Sequence, residues 1–381
     1  MERSKVIVIG GNHHNTLGVI RSLGFKGLKS DVVIVTEQKK PYVSYSKYIQ
    51  NCQLLTSSSQ ILNYLLETKS RNGTKQVIIS CADFVTAVLD AHQEQLADYY
   101  YLPVGNGNLN QIMDKEIMSK IANSCGLKTP LNYTIDEASS YEKKLIIKPL
   151  KSIDGSKSDI SIVNDKESLI NYLSSSHTCQ FQIQEYIEKS LEFQLIGCSL
   201  NGGEILIIPG VSIILRQPEN TNTGFLKYVS ADKFQFNNLN ACKIFIQSIG
   251  YSGLFSLEFL RDKDNKDFFL EINLRNDGNA ICVTSAGMNL PYIWYSYCIG
   301  SNDWIQEASA FVRDTIVMPE FDDFINVLKG KLSIIKWLKD VSRTDCFMEY
   351  DKTDKAPFYI GLWQRCASYF KYVFKKLSVF E

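Results

Sequence analysis

The chain has 381 residues, 45% of them hydrophobic and 22% charged, and its 41 basic side chains balance its 41 acidic ones. Zero net charge excludes a general nucleic-acid binder, which needs a basic excess to meet phosphates, and the hydrophobic share excludes wholesale disorder. Twenty-two Gly and nine Pro are too few for a collagen-like chain, and at about 150 residues per domain the length suggests two or three domains.

The first predicted element is Val6-Ile7-Val8-Ile9, a short apolar strand ending in Gly10-Gly11-Asn12. Met1-Glu2-Arg3-Ser4-Lys5 leads straight into it, without the apolar run of a signal peptide. A helix is predicted over 16–23, stopped near Gly24, with strands at 31–36 and 77–80. This alternation implies a parallel sheet with helices on its faces and ligands at the carboxyl ends of its strands. Asp83 follows such a strand end, where it either contacts a substrate or caps the next helix. The run from Gly10 invites a dinucleotide-binding reading with Glu37 as the ribose acid, but Asn12 takes the third place of GxGxxG. His13 and His14 are neighbours and point in different directions in most conformations, so they read as loop or substrate contacts rather than metal ligands.

Residues 106–111 are polar and glycine-rich, a hinge. Asp114 is placed to cap a helix running to about Cys125, ended by Gly126 and Pro130. Ile117 and Ile121 share one face of it, and Lys115 stands at its anion-favouring start. The strand 145–148 delivers Lys148 just before Pro149; a lysine there is either a snorkelling surface residue or a basic site group. The loop that follows carries Ser152, Asp154, Gly155, Ser156 and Ser158. Such small polar loops cradle phosphates with backbone amides, although this one lacks the GxxxxGK[ST] pattern. Strands are predicted at 160–163 and leading into Gln184-Glu185-Tyr186-Ile187. An extended segment leaving a strand offers backbone groups to a purine, and the Glu192 carboxylate suits ribose hydroxyls. The stretch 192–215 is strand-rich, with a hairpin turn at Asn201-Gly202-Gly203. Arg216 and Lys227 are either a clamp for a carboxylate or phosphate, or exposed loop cations.

The stretch 252–279 carries the strongest chemistry. Strands 254–260 and 268–275 flank an all-polar turn, 261–267. Alternation puts Glu271, Asn273 and Arg275 on one face and Leu270, Ile272 and Leu274 on the other. A hairpin symmetric about Asp264-Asn265 sets Glu258 opposite Glu271. Carboxylates so placed repel. Either the face is simply wet, or a divalent cation lies between them. Two Glu and an Asn amide oxygen form a hard, oxygen-only set that suits Mg²⁺ or Mn²⁺, with Arg275 beside it for phosphates or a carboxylate.

Residues 301–381 are mixed. Phe358 to Phe380 interleaves aromatics with Lys and Arg and reads as a C-terminal helix packed on the body or attached to a membrane surface. The polar loop 351–358 is placed to return toward the body. The ten cysteines are scattered without a CxxC pair, so most read as small buried residues in a reducing compartment. No apolar run reaches the about 18 residues of a membrane span.

Taken in this order, Lys115, Lys148-Pro149, the loop around Gly155, Gln184 to Ile187, Glu192, Glu258 and Glu271-Ile272-Asn273-Leu274-Arg275 resemble the ATP-grasp superfamily. Within it the chain looks most like carbamoyl-phosphate-synthetase-like and D-aspartate-ligase-like carboxylate–amine ligases, over residues 5–300. The resemblance implies an α/β and α+β chain: an ATP-grasp fold behind an N-terminal parallel α/β domain. Its divisions would be 1–108, a small subdomain with its linking helix at 109–187, a large subdomain with the metal site at 188–300, and an extension at 301–381. It implies ATP phosphates on Lys115 and Lys148 under a lid bearing Ser152, Asp154, Gly155 and Ser156. Glu185, Tyr186 and Ile187 would meet adenine, and Glu192 the ribose. Glu258, Glu271 and Asn273 would hold Mg²⁺, while Arg275 and Lys148 serve the transferred phosphate. Substrate contacts would fall to Asn12, Asp83, Arg216 and Lys227. The implied activity joins a small-molecule carboxylate to an amine, probed with ATP and Mg²⁺ (or Mn²⁺), in the cytoplasm, without nucleic acid or a membrane span; a homodimer is one compatible assembly. Two alternatives stand beside it. One is a non-catalytic nucleotide-binding regulator of the same fold. The other is a dinucleotide-dependent oxidoreductase, which leaves the Glu258, Glu271 and Asn273 set unexplained.

Overall fold

The computed structural model describes residues 5–70, 73–106, 109–140, 143–150, 159–174, 180–217 and 223–377. Among them the strands form three sheets. The first is parallel, from Val6–Gly11 (β1), Ser30–Val35 (β2), Ile49–Leu55 (β3), Gln76–Ser80 (β4) and Tyr100–Tyr101 (β5), in the order β3-β2-β1-β4-β5. A parallel sheet is covered on both faces, which is why β1 is apolar throughout. Val6 and Val8 enter one core cluster, Ile7 and Ile9 another.

The first helix spans His14–Phe25, starting before the predicted position because the His13 imidazole accepts from Asn15 N and caps it. It runs through Gly24, whose missing Cβ admits the Tyr48 ring, and the chain turns at Gly27 with φ +75°.

Helix Lys115–Ser124 matches its prediction closely. The Asp114 carboxylate accepts from Glu116 N and Ile117 N, and Gly126 leaves with φ +89°. Its buried face is Lys115, Met118, Ser119 and Ala122, whereas Ile117 faces outward. The second sheet is antiparallel, from Asn132–Tyr133 (β6), Leu145–Pro149 (β7), Ser161–Val163 (β8) and Phe181–Glu185 (β9), in the order β6-β9-β7-β8.

The third sheet takes Lys189–Leu200 (β10), Ile205–Ile207 (β11), Gly210–Arg216 (β12), Phe225–Ser230 (β13), Gly253–Asp262 (β14), Asp267–Asn273 (β15), Thr315–Met318 (β16) and Cys346–Phe347 (β17). Its path is β15-β14-β10-β12-β13-β16-β17, with β11 paired to β10 across the expected turn, where Asn201, Gly202 and Gly203 all have positive φ. The segment 301–381 therefore supplies two strands to this sheet rather than standing apart. It is fastened by buried charge. Arg21 bonds Asp354 in the returning polar loop (3.0 Å), and Arg216 forks onto Asp323 (2.8 and 2.7 Å) and reaches Asp340 (2.8 Å). The final helix, Ala356–Leu377, packs on the turn Tyr42–Tyr45. No helix of the described residues is long and apolar enough to cross a membrane.

Candidate functional site

The acidic hairpin sets the site. Glu258 lies directly opposite Glu271 across β14 and β15, as its sequence predicts, but by a different route. Near the turn Phe259 pairs with Phe269, Leu260 with Phe268 and Arg261 with Asp267, a register that would face Glu258 with Leu270. A bulge between Glu258 and Phe259 inserts one residue and restores the two carboxylates to each other. It also turns Leu270 into the cavity with Glu271, so Leu270 leaves the apolar face expected for it, while Ile272 and Leu274 stay in the core. The buried Asn273 amide donates to Glu258 Oε1 (3.0 Å) and Ser256 Oγ (3.2 Å), and Gln194 Nε2 donates to the same Glu258 oxygen (3.2 Å).

The basic half comes from elsewhere. The Asp114 cap fixes the start of its helix and so directs Lys115, whose Nζ reaches Glu271 Oε2 (3.5 Å) and the Pro149 carbonyl (3.3 Å). Lys148, on β7, faces the same space. Burial and the neighbouring Lys115 pull its pKa down to about 8, against the pull of Glu271 and Glu258. Arg275 follows β15. Burial works against its charge, but Asp83 and Asp277 beside it more than offset this, and its pKa is raised.

These groups line one cavity of about 660 Å³, a size suited to a nucleotide-sized ligand. At one end Glu185, Tyr186 and Ile187 run out from β9, with Glu192 on β10. Register places Ile146 beside Gln184 and Leu260 beside Glu192, so apolar walls flank this end. Glu185 also accepts from Leu131 N (3.0 Å), and Glu192 pairs with Lys189. At the other end lie Gly11, His13, Asn15, Thr223, Asp277 and Gly278. Asp277 was not anticipated, although it continues the alternation of Glu271, Asn273 and Arg275; Asn15 and Thr223 carry no such signal. Cys81 also lines the cavity, but burial pushes its thiol up to about 12, which leaves it protonated and unreactive.

Other expected residues sit differently. Asp83 is the first residue of the helix Asp83–Ala91, whose cap position is Ala82, and its carboxylate holds Arg275. Asn12 bonds Gln38 and Val43 N and lies outside the cavity lining. Arg216 is bound to Asp323 and Asp340, and Lys227 is exposed on β13, so neither joins the cavity as a clamp. The expected lid residues Ser152, Asp154, Gly155 and Ser156 lie outside the described residues; its flanks, Pro149 and Ile160, line the cavity.

Charge decides what the cavity can take. Among its described lining residues, Lys115, Lys148 and Arg275 face Asp83, Glu185, Glu192, Glu258, Glu271 and Asp277. Three cations against six carboxylates would repel a bare polyphosphate. Divalent cations reverse that sign, and Glu258, Glu271 and the Asn273 oxygen, which here accepts from Arg275 Nη2 (2.9 Å), are hard donors of the kind that Mg²⁺ takes. Among the described residues no three His, Cys, Asp or Glu cluster as metal ligands, so two carboxylates and an amide are the set on offer.

Comparison with known proteins bears on the fold that carries this cavity. Residues 112–279 match a family model described as an ATP-grasp domain. No curated protein matches the chain in sequence. Among solved structures, N5-carboxyaminoimidazole synthetase from Staphylococcus aureus is similar at 16% identity and a TM-score of 0.63, over 87% of this chain and 86% of that one. The L-amino acid ligase from Bacillus licheniformis is similar at 14% identity and 0.58, over 84% and 81%. The biotin carboxylase domain of Hydrogenobacter thermophilus 2-oxoglutarate carboxylase, in complex with MgADP and bicarbonate, is similar at 14% and 0.61, over 83% and 74%. At these identities the likeness is one of fold. Residues 112–279 thus match the ATP-grasp domain model, and the chain as a whole has the fold of these ATP-grasp-like structures.

Proposed function

We propose that this chain is an ATP- and magnesium-dependent ligase that joins a carboxylate to an amine through an acyl phosphate, releasing ADP and phosphate. The observation that carries the reading is the opposed pair Glu258 and Glu271 in one cavity with Lys115, Lys148 and Arg275. A carboxylate is a poor electrophile. Its oxygen attacks the γ-phosphorus of ATP, forming a new O–P bond as the bond to ADP breaks. The amine then adds to the acyl carbon, loses its proton, and phosphate leaves.

Such chemistry needs alignment and charge neutralisation more than a covalent protein group. Lys115 and Lys148 meet phosphate oxygens. Glu185 to Ile187 present backbone groups to adenine between the apolar walls, and Glu192 accepts from the ribose. Glu258, Glu271 and Asn273 would hold Mg²⁺, which neutralises phosphate charge and orients the transferred group. Arg275 supplies fixed positive charge where the acyl phosphate forms. An amino acid on one side of the new bond is supported by the L-amino acid ligase among the fold neighbours.

Phosphate release from Mg-ATP, screened with pooled amino acids and small carboxylates, tests the proposal. The expected result is release that requires a particular pool and disappears in Glu271→Gln. Release of pyrophosphate, or no stimulation by any pool, contradicts it.

A further inference from the structure

Arg275 has five N–H donors, and five hydrogen bonds engage it. Nε and Nη2 fork onto the two Asp83 oxygens (3.0 and 3.3 Å), Nη2 also donates to Asn273 Oδ1 (2.9 Å), and Nη1 donates to the Asn276 carbonyl (3.2 Å) and Asp277 Oδ2 (3.5 Å). Asp83 therefore occupies one of the two two-donor edges of the guanidinium with which arginine grips a carboxylate or phosphate, and Asn273, Asn276 and Asp277 engage the other. An oxyanion in the cavity reaches either edge only by taking the place of a partner already there.

The partners are not equally fixed. Asn276 is tied by its own N–H to the Ser80 carbonyl (2.9 Å) and by its amide to Asn15 Oδ1 (2.6 Å). Asp277 accepts from Ser256 Oγ and Asn279 N, both at 2.8 Å. The Asp277 side chain is 5% exposed, whereas that of Asp83 is 25% exposed and borders the cavity. Asp83 also has somewhere to go. It opens the helix Asp83–Ala91, whose cap residue Ala82 provides no side-chain bond, so the first-turn amides favour a carboxylate beside them.

We propose that Asp83 is a displaceable counter-ion: it neutralises Arg275 until a ligand oxyanion exchanges for it on the same edge of the guanidinium. This rests on the ligase reading, in which the oxyanion is the substrate carboxylate or the transferred phosphoryl group. The exchange ties the delivery of the reaction arginine to the arrival of that group.

The test titrates the full chain, in excess Mg²⁺, with inorganic phosphate and, separately, with acetate, by calorimetry and without turnover. Asp83→Asn removes the competing charge at nearly constant shape. It is expected to bind the oxyanion about tenfold tighter than the unaltered chain. Tighter phosphate identifies the phosphoryl group as the displacing oxyanion, and tighter acetate the carboxylate. Arg275→Gln is expected to erase the gain in both backgrounds. Asp83→Ala repeats the measurement should Asp83→Asn prove poorly folded. Equal or weaker binding of both anions by the Asp83 variants overturns the proposal, because Asp83 is then a fixed orienter of Arg275. Oxyanion binding is read without ATP, so missing ligase activity leaves this test standing, and a failed titration leaves the ligase reading to ATP consumption.

Discussion

The cavity and the C-terminal segment both set arginine against carboxylates, in different proportions. Along the segment, Arg216 meets Asp323 and Asp340, Arg343 meets Asp340, Arg21 meets Asp354 and Arg365 meets Glu349, so each of four arginines is paired with a buried carboxylate. In the cavity six carboxylates outnumber three cations, and two of them face each other directly. The arginines of the first set find their carboxylates within the chain. For the second, the proposed function supplies the missing positive charge as divalent cations. Balance and access, more than residue type, separate a fastening from a site.

The largest expected effect breaks the comparison on the cavity side. Glu271→Gln keeps the shape of the hairpin but removes one charge from the metal set, and is expected to lower kcat/KM by about 10³-fold in the phosphate-release assay. Its folding stability is expected to change by no more than about 1 kcal/mol, because relief of the repulsion from Glu258 offsets the lost ion pair with Lys115. Asp323→Ala tests the other side. It leaves Arg216 half-paired beneath the sheet and is expected to cost roughly 3 kcal/mol in a urea melt, while turnover per folded molecule is unchanged.

A smaller, pH-dependent effect belongs to Lys148. Its pKa lies near 8, below the ordinary 10.5. Above pH 8 it loses its proton, and ATP affinity is expected to fall about tenfold per pH unit, a dependence that Lys148→Met flattens. Stability responds with the opposite sign. Between pH 8 and 10.5 the unfolded chain binds more protons at this position than the folded one, so this group's contribution to stability rises with pH across that window. The smallest effect is expected of Lys227→Ala, an exposed side chain outside the cavity lining, which should change ATP KM less than twofold, within about 0.5 kcal/mol.

Much of the site was legible because it is written locally. The Asp114 cap fixes Lys115, and the apolar strand before Pro149 delivers Lys148. Strand alternation gathers Glu271, Asn273 and Arg275, and its continuation past the strand reaches Asp277. The pairing of Glu258 with Glu271 was anticipated from a symmetric turn, whereas a bulge produces it, and that bulge moved Leu270 into the cavity. What escaped is long-range. Arg216 reads as a substrate clamp until Asp323 and Asp340 arrive from 107 and 124 residues away. Asp83 meets Arg275 across 192 residues, a pairing no local pattern encodes. The strands β16 and β17 have four and two residues, too short for an alternation to show.

The central claim is that this cavity makes an acyl phosphate. Hydroxylamine tests it most directly, by intercepting that species as a hydroxamate in mixtures of the chain, Mg-ATP and the stimulating carboxylate. The account predicts hydroxamate and phosphate in equal amounts, with ADP as the nucleotide product and neither formed by Glu271→Gln. AMP and pyrophosphate in their place, or ATP consumption that yields no hydroxamate, would contradict it.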